Sequence, residues 1–169
     1  MKMLSFLLLA LSCAAAVAGE NLILNGDFSS GLEGWRLDRL QNAQASIEVR
    51  DAGDGRSAAA IRVLEQAEKR YFVQLAQKGV SLEAGKTYRL SFRGRSDPDA
   101  SIVVKILENQ APFPEVWSED HINLGPEWKE VVFEFSPQVS LDEAVFVLSG
   151  LAQQPGEYWF ADVSLTVVD

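Results

Sequence analysis

The chain has 169 residues, a formal charge of −9 and a single cysteine, Cys13. This acidity argues against nucleic acid and anionic lipid as partners, because both are bound through basic patches. One cysteine cannot form a disulfide within the chain, so a stable fold depends on its apolar core. We expect one domain over residues 19–169, which is an ordinary size for a single domain.

The first 18 residues have the layout of a secretory signal peptide. Lys2 precedes an apolar run that ends in Ala16-Val17-Ala18, which resembles a cleavage site. The run is shorter than the roughly 20 apolar residues of a membrane span. We therefore predict a secreted or periplasmic protein with no membrane span, and a lipoprotein anchored at Cys13 as the alternative.

Alternating apolar and polar residues predict β-strands along the remaining chain. Glycine- and proline-containing turn signals separate them, and Ala58–Lys69 is interpreted as a strand that runs into a loop. The pattern predicts an all-β sandwich or barrel. The predicted strands are Ser46–Val49, Ser57–Val63, Tyr71–Leu75, Lys86–Arg93, Ser101–Glu108, Trp128–Phe135, Ala144–Ser149 and Tyr158–Val168.

The longest irregular stretch is Glu108–Asp120, which contains Pro112, Pro114 and Trp117. Long loops on a rigid scaffold often carry function. Trp117 is therefore a candidate binding residue, with capping of the sandwich as the alternative.

The sequence offers little catalytic chemistry. His121 is the only histidine, and we interpret it as a loop or strand-start residue. Nucleophile, zinc and phosphate-binding motifs are absent, and no acidic pair stands out as the two carboxylates of a glycosidase. We predict no catalytic residues.

Aromatic and planar polar side chains point instead to sugar binding. Aromatic rings pack on the apolar faces of sugars, and Arg, Gln and Asn read the hydroxyl groups. The candidates are Tyr71, Gln74, Arg93 and Trp117. A core position for Tyr71 and an ion pair for Arg93 are the alternatives.

Five segments, in order, resemble the carbohydrate-binding modules of the family 4, 9 and 22 group. The resemblance covers nearly the whole chain after residue 18. The segments are Asn21–Phe28 with Gly34-Trp35, Tyr71–Leu75, Leu82–Tyr88, Glu127–Phe133 and Phe160–Leu165.

The resemblance implies a jelly-roll β-sandwich of two antiparallel sheets, similar to galactose-binding domains. In it, Asn-Gly-Asp-Phe would start the first strand, with Phe28 and Trp35 in the core. The outward residues of the strand that holds Arg93 would line the family's cleft. The implied partners are a polysaccharide or oligosaccharide and a separate glycoside hydrolase.

A structural calcium ion is common in these modules, and the matching positions here are Asp27, Ser57 and Asp162. Calcium binds six to eight oxygen ligands. The family usually has a glutamate directly after the phenylalanine, where this chain has Ser29.

The expected function is thus a non-catalytic module that holds a glycan in a cleft on one sheet. Two alternatives stay open at this point: a sandwich used for protein contacts or envelope structure, and a small glycan-active enzyme with two carboxylates in the cleft.

Overall fold

The computed structural model describes residues 19–168. The predicted signal peptide, with Cys13, lies outside the described residues. Within the described part of the chain, no helix has the length and apolar character needed to cross a membrane.

Residues 19–168 contain ten strands and two single-turn 3-10 helices. The helical turns are Arg70–Phe72 and Leu151–Gln153. The strands are β1 (Trp35–Arg39), β2 (Ala45–Asp51), β3 (Ser57–Val63), β4 (Val73–Leu82), β5 (Thr87–Asp97), β6 (Ala100–Glu108), β7 (Glu115–Leu124), β8 (Lys129–Phe135), β9 (Leu141–Ser149) and β10 (Gly156–Val168).

These strands form two antiparallel sheets of five strands each in the described chain. The front sheet has the order β1-β4-β9-β6-β7, and the back sheet has the order β2-β3-β10-β5-β8. Each sheet turns one face to the other sheet and its second face outward. The predicted two-sheet β-sandwich is confirmed.

The core lies between the two sheets and is built by alternation along the strands. In β5, Tyr88, Leu90 and Phe92 are at most 2% exposed, while Arg89 and Ser91 between them face outward. Phe28 and Trp35 are also buried and lie 5.1 Å apart between ring centroids. Their predicted place in the core is confirmed.

Two strands were missed by the sequence pattern. β1 is the short segment Trp35–Arg39, and β7 occupies Glu115–Leu124, most of which was interpreted as an irregular loop. The alternation of apolar and polar residues along β7 is interrupted, because its pairing with β6 shifts register between Ile102 and Val104. His121, with a φ of 61°, lies in this irregular part of the strand.

The segment Asn21–Gly34 is not the predicted first strand, but a series of turns that is hydrogen-bonded to β4 and β10. Gln77, a buried amide of β4, accepts a hydrogen bond from the Leu24 N–H (2.7 Å) and donates one to the Leu24 carbonyl (2.8 Å). The Asn25 carbonyl accepts the indole N–H of Trp35 at 3.0 Å.

Gly26 is required where this segment passes the last strand. Its carbonyl accepts a hydrogen bond from the Val163 N–H at 2.8 Å. A Cβ atom at this position would lie 1.8 Å from the Val163 carbonyl oxygen. The Asn-Gly-Asp-Phe sequence is thus explained by a close backbone contact, and it serves the fold.

Candidate functional site

An open groove of about 590 Å³ crosses the outer face of the front sheet. Every front-sheet strand contributes to it, because outward-facing residues alternate with core residues. The lining residues on strands are Arg36, Asp38, Gln74, Ala76, Lys78, Lys105, Leu107, Glu115, Val145, Val147 and Ser149, and those on connections are Leu40, Tyr71, Asn109, Pro112 and Phe113.

The floor of the groove is apolar and its sides are charged. Strand pairing places Arg36 beside Ala76, Ala76 beside Val147, and Val147 beside Lys105. One row across four strands therefore runs from a cation, over two small or branched apolar residues, to a second cation. A flat ring lying on Ala76 and Val147 would meet polar groups at both edges.

Both of these cations are paired with carboxylates of the groove itself. Arg36 donates to Asp38, with the second bond of the pair at 2.9 Å. Lys105 forms an ion pair with Glu115. Hydrogen bonds from Lys105 and then from Ser118 lower the pKa of the Glu115 carboxyl, so the pair stays ionised in mildly acidic solution.

Two aromatic side chains stand at opposite ends of the groove. Tyr71 lies in the 3-10 turn that leads directly into β4, and Phe113 follows the end of β6. Because β4 and β6 are both antiparallel to β9, they run in the same direction, and these two positions fall at opposite ends. The rings are 48% and 53% exposed, so each offers an apolar face to a ligand.

Gln74 lies next to Tyr71 in the groove and is oriented by Ser149. The Ser149 hydroxyl donates to the Gln74 Oε1 at 3.3 Å, which leaves the amide N–H groups for a ligand. Tyr71 and Gln74 are the two sequence candidates that the structure brings together.

Arg93 does not lie at this groove. It is on β5, which belongs to the back sheet, and it faces outward on the opposite side of the sandwich. Its Nε donates to Asp162 at 2.7 Å and its Nη1 donates to Asp54 at 3.0 Å. The ion-pair alternative describes this residue, and its expected place in the cleft is corrected.

Trp117 is also placed elsewhere than expected. It is on β7 rather than in a loop, and its ring stacks on Phe135 of β8 with centroids 4.5 Å apart. β7 and β8 are the edge strands of opposite sheets. Trp117 therefore closes the open edge of the sandwich and does not line the groove.

The remaining groove residues were missed, although some left a signal in the sequence. Arg36 and Asp38 alternate with Trp35 and Leu37 in a strand of only five residues. Lys105 is the one charged residue before the end of an apolar run. Their meeting in one groove depends on β1, β4, β9 and β6 being neighbours, which no local pattern reveals.

The expected calcium ligands do not form a fitting donor set. The Asp162 carboxylate accepts hydrogen bonds from Arg56 (2.9 Å) and Arg93 (2.7 Å), so two cations already neutralise it. Asp27 accepts both the backbone N–H and the hydroxyl of Ser29, and these bonds lower the pKa of the Asp27 carboxyl.

Ser57 begins β3 and pairs with Asp51. Within residues 19–168, no group of three or more His, Cys, Asp or Glu side chains converges as a metal site. Since calcium needs several anionic or carbonyl oxygens facing one point, the contacts of Asp162 do not fit this ion.

The sandwich and the groove on its outer face together define a ligand-binding β-sandwich module. Residues 20–153 match the model of the carbohydrate binding domain family that groups the type 4 and type 9 modules, and the chain belongs to this family. The resemblance noted from the five sequence segments is thereby confirmed.

One similar protein is a cellulose 1,4-β-cellobiosidase of Acetivibrio thermocellus. It is 30% identical over 119 residues, which cover 66% of this chain and 13% of that protein. The chain thus matches a small part of this much longer relative.

Solved structures show the same fold. A CBM4 structure superposes with a TM-score of 0.75 at 22% identity, covering 86% of this chain and 99% of that one. The second N-terminal cellulose-binding domain of Cellulomonas fimi β-1,4-glucanase C gives 0.68 at 19% identity, with 89% and 96% covered. A CBM22-1 xylan-binding domain from Paenibacillus barcinonensis gives 0.64 at 13% identity, with 92% and 99% covered.

Proposed function

We propose that this carbohydrate-binding domain holds a polysaccharide or oligosaccharide chain in the front-sheet groove. The observation that carries the proposal is the row Arg36, Ala76, Val147 and Lys105, which offers an apolar floor between two polar edges. Sugar rings have the matching character, since their C–H faces are apolar and their edges carry hydroxyl groups.

Each lining group has a role in this proposal. Tyr71 and Phe113 stack on sugar rings at the two ends, and Gln74 exchanges hydrogen bonds with hydroxyl groups. The Arg36–Asp38 and Lys105–Glu115 pairs supply further donors and acceptors in fixed positions. Affinity is modest, because each new hydrogen bond replaces one to water and yields only about 0.5–1.5 kcal/mol.

The distribution of exposed apolar side chains supports a ligand in the groove rather than on another face. Of the six large hydrophobic residues that are more than 40% exposed in residues 19–168, three line the groove, namely Leu40, Tyr71 and Phe113, and the other three are not among its lining residues. The charged pairs Arg36–Asp38 and Lys105–Glu115 interrupt these side chains, which favours the glycan over the protein-contact alternative with its contiguous apolar patch.

We also propose that the domain is non-catalytic. The two carboxylates of the groove, Asp38 and Glu115, lie on β1 and β7, which are four strand spacings apart in the front sheet. At about 4.8 Å per spacing this is about 19 Å, whereas glycosidase carboxylates are about 5–9.5 Å apart. Both are also engaged in ion pairs.

Relatives support an extracellular role in polysaccharide breakdown. We propose that the protein is secreted or periplasmic, and that it works with a glycoside hydrolase, because the curated relative is a cellobiosidase. Its ligand would then be a plant cell-wall polymer such as cellulose or xylan, as the names of the cellulose- and xylan-binding neighbours suggest.

Affinity electrophoresis of residues 19–169 tests this function. The protein is run in gels that contain hydroxyethylcellulose, xylan, barley β-glucan, laminarin or galactomannan, with serum albumin as the reference. Retardation by at least one polymer, relieved by a soluble oligosaccharide of the same linkage, is the expected result. Unchanged mobility of the folded protein in all gels would overturn the proposal.

A further inference from the structure

A second hollow, distinct from the groove, opens at the end of the front sheet where β6 begins and β7 ends. It has a volume of about 410 Å³, and five of its seven lining residues have polar side chains. The residues that matter are Asp99, Ser101, Asn123, Gln153 and Gln154, with buried Leu124 at their base.

Most polar side chains of this hollow have no hydrogen-bond partner among the described residues. The Ser101 hydroxyl is buried and has no hydrogen-bond partner within residues 19–168. The side chains of Asp99, Asn123 and Gln153 also make no hydrogen bond to any described residue. Gln154 is the exception, since its amide donates to the Asp99 carbonyl and so fixes one side of the hollow.

This differs from the groove, where the polar side chains are largely committed to one another as Arg36–Asp38, Lys105–Glu115 and Gln74–Ser149. Buried polar groups generally find partners. A buried hydroxyl without one, surrounded by free amide and carboxylate groups, therefore indicates a place where a ligand or water completes the hydrogen bonds.

The chemistry of the lining selects the class of ligand. The charged side chain among the lining residues is the Asp99 carboxylate, so an anion is disfavoured. A single carboxylate is also too few for a divalent cation. The two unengaged primary amides, Asn123 and Gln153, stand beside a carboxylate and a hydroxyl. Together they offer several donors and acceptors within one space, which suits the adjacent hydroxyl groups of a neutral sugar.

The hollow and the groove lie on one sheet but have no lining residue in common. Along β7, Asp120 lies between Asn123 of the hollow and Glu115 of the groove. Its carboxylate is 3.0 Å from the Arg70 guanidinium, and Arg70 adjoins Tyr71 at the end of the groove. Neither Arg70 nor Asp120 lines the groove or the hollow, so this ion pair belongs to neither site.

We propose that the hollow is a second, separate carbohydrate site that binds a neutral sugar through hydrogen bonds alone. The class of ligand in this inference rests on the proposed function, whereas the location of the site rests on the geometry of the hollow. Because no aromatic ring lines the hollow, its affinity is lower than that of the groove.

The test is a chemical-shift titration of ¹⁵N-labelled residues 19–169 with cellohexaose, xylohexaose, laminarihexaose and mannohexaose. Three variants accompany the wild type: Tyr71→Ala for the groove, the double change Asn123→Ala and Gln153→Ala for the hollow, and Gln138→Ala as a control. Asn123, Gln153 and Gln138 are all exposed, so none of these changes should disturb the fold.

We expect the amides of Ser101, Asn123 and Gln153 to shift with a weaker saturation curve than the groove amides. They should respond equally in Tyr71→Ala and Gln138→Ala, and the hollow variant should weaken this curve at least about fivefold, as expected from losing a net hydrogen bond or more.

The remaining outcomes separate the two proposals. If the groove responds and the hollow is silent, or if the hollow shifts disappear in Tyr71→Ala, the second site is refuted and the groove function stands. If the hollow responds while the groove is silent, the groove function is refuted alone. Silence at both sites with every oligosaccharide refutes both.

Discussion

Trp117 and Phe135 lie face to face across the edge of the sandwich, with ring centroids 4.5 Å apart and planes inclined by 15°. Trp117 belongs to the last strand of the front sheet and Phe135 to the last strand of the back sheet. Phe133 adds a second ring 5.8 Å from Trp117. The three rings seal the core where neither sheet has a further strand.

This contact predicts that Trp117 contributes to stability and not to sugar binding. Trp117→Ala should lower the free energy of unfolding by about 2–4 kcal/mol, since it removes a large, partly buried ring. Trp117→Phe should recover most of the loss. Urea denaturation measures the stability, and affinity electrophoresis should show unchanged retardation of whatever protein remains folded. A stable Trp117→Ala protein that no longer binds would contradict this assignment.

Tyr71 should behave in the opposite way. Its ring is half exposed and lies in the groove, so Tyr71→Ala should weaken glycan binding about tenfold through lost stacking while the melting temperature stays nearly constant. Leu64→Ala is a matched control, because Leu64 is similarly exposed but lies outside the groove. Calorimetric titration with the best-bound oligosaccharide gives the affinity.

An equal loss in Tyr71→Ala and Leu64→Ala would show that the effect is not local to the groove. A collapse of the thermal transition in Tyr71→Ala would show instead that the ring belongs to the core.

Arg93 shows which part of a residue's position can be predicted from the sequence. Alternation correctly identifies Arg93 as an outward residue of a strand between buried Phe92 and Gly94. It does not tell which sheet the strand joins, because this is decided by pairing with β8 and β10, far away in the chain. Local pattern gives the face of a strand, and only long-range pairing gives the side of the molecule.

Dependence on long-range pairing also explains why β7 is not predicted from the sequence. Pro114 directly precedes β7, and the first half of the strand contains several charged residues. Proline and charged residues are unfavourable in a central strand. At the edge of a sheet such residues are tolerated and even useful against aggregation. The edge position becomes visible only when the strand order is known.

Gln77 is expected to hold the N-terminal turns onto the sandwich. It is 3% exposed, and its amide satisfies both the N–H and the carbonyl of Leu24. Gln77→Leu should lower the free energy of unfolding by about 1–3 kcal/mol, because backbone groups lose their partners. Gln138→Ala, an exposed amide, should change it little. Faster amide hydrogen exchange at Leu24 in Gln77→Leu would locate the effect, and unchanged exchange there would contradict it.

The outer face of the back sheet predicts a dependence on pH. The Asp54 carboxylate binds Arg56 at 2.7 Å and Arg93 at 3.0 Å, and the hydrogen bond from Arg56, above all, lowers the pKa of Asp54 to about 2. A lowered pKa in the folded state means that the stabilisation is present above the unfolded value, 3.8, and is lost as the pH falls toward 2.

Thermal melts of the wild type and Asp54→Asn between pH 7 and pH 2 measure this contribution. The variant should melt at a lower temperature at pH 7, and the difference should close between about pH 4 and pH 2. High salt should reduce the difference at neutral pH, because the group is exposed and screened. A difference that stays constant down to pH 2 would assign the effect to something other than the charge.

The contacts of Asp162 predict how the melting temperature responds to calcium. Its carboxylate lies 2.9 Å from Arg56 and 2.7 Å from Arg93, so it is already neutralised by cations of the chain. A calcium ion at the same oxygen would have to displace them, with one fewer carboxylate nearby because Ser29 stands after Phe28. We therefore expect neither EDTA nor added calcium to move the melting temperature of residues 19–169.

Asp162→Asn provides the second arm of this experiment. If guanidinium groups hold the carboxylate, the variant should lose stability to the same extent with EDTA and with calcium, because the loss comes from the ion pairs. If calcium is bound instead, EDTA should lower the melting temperature of the wild type, calcium should restore it, and Asp162→Asn should abolish both responses. The second pattern would show that Arg56 and Arg93 move aside for an ion, and the arrangement of this loop would have to be revised.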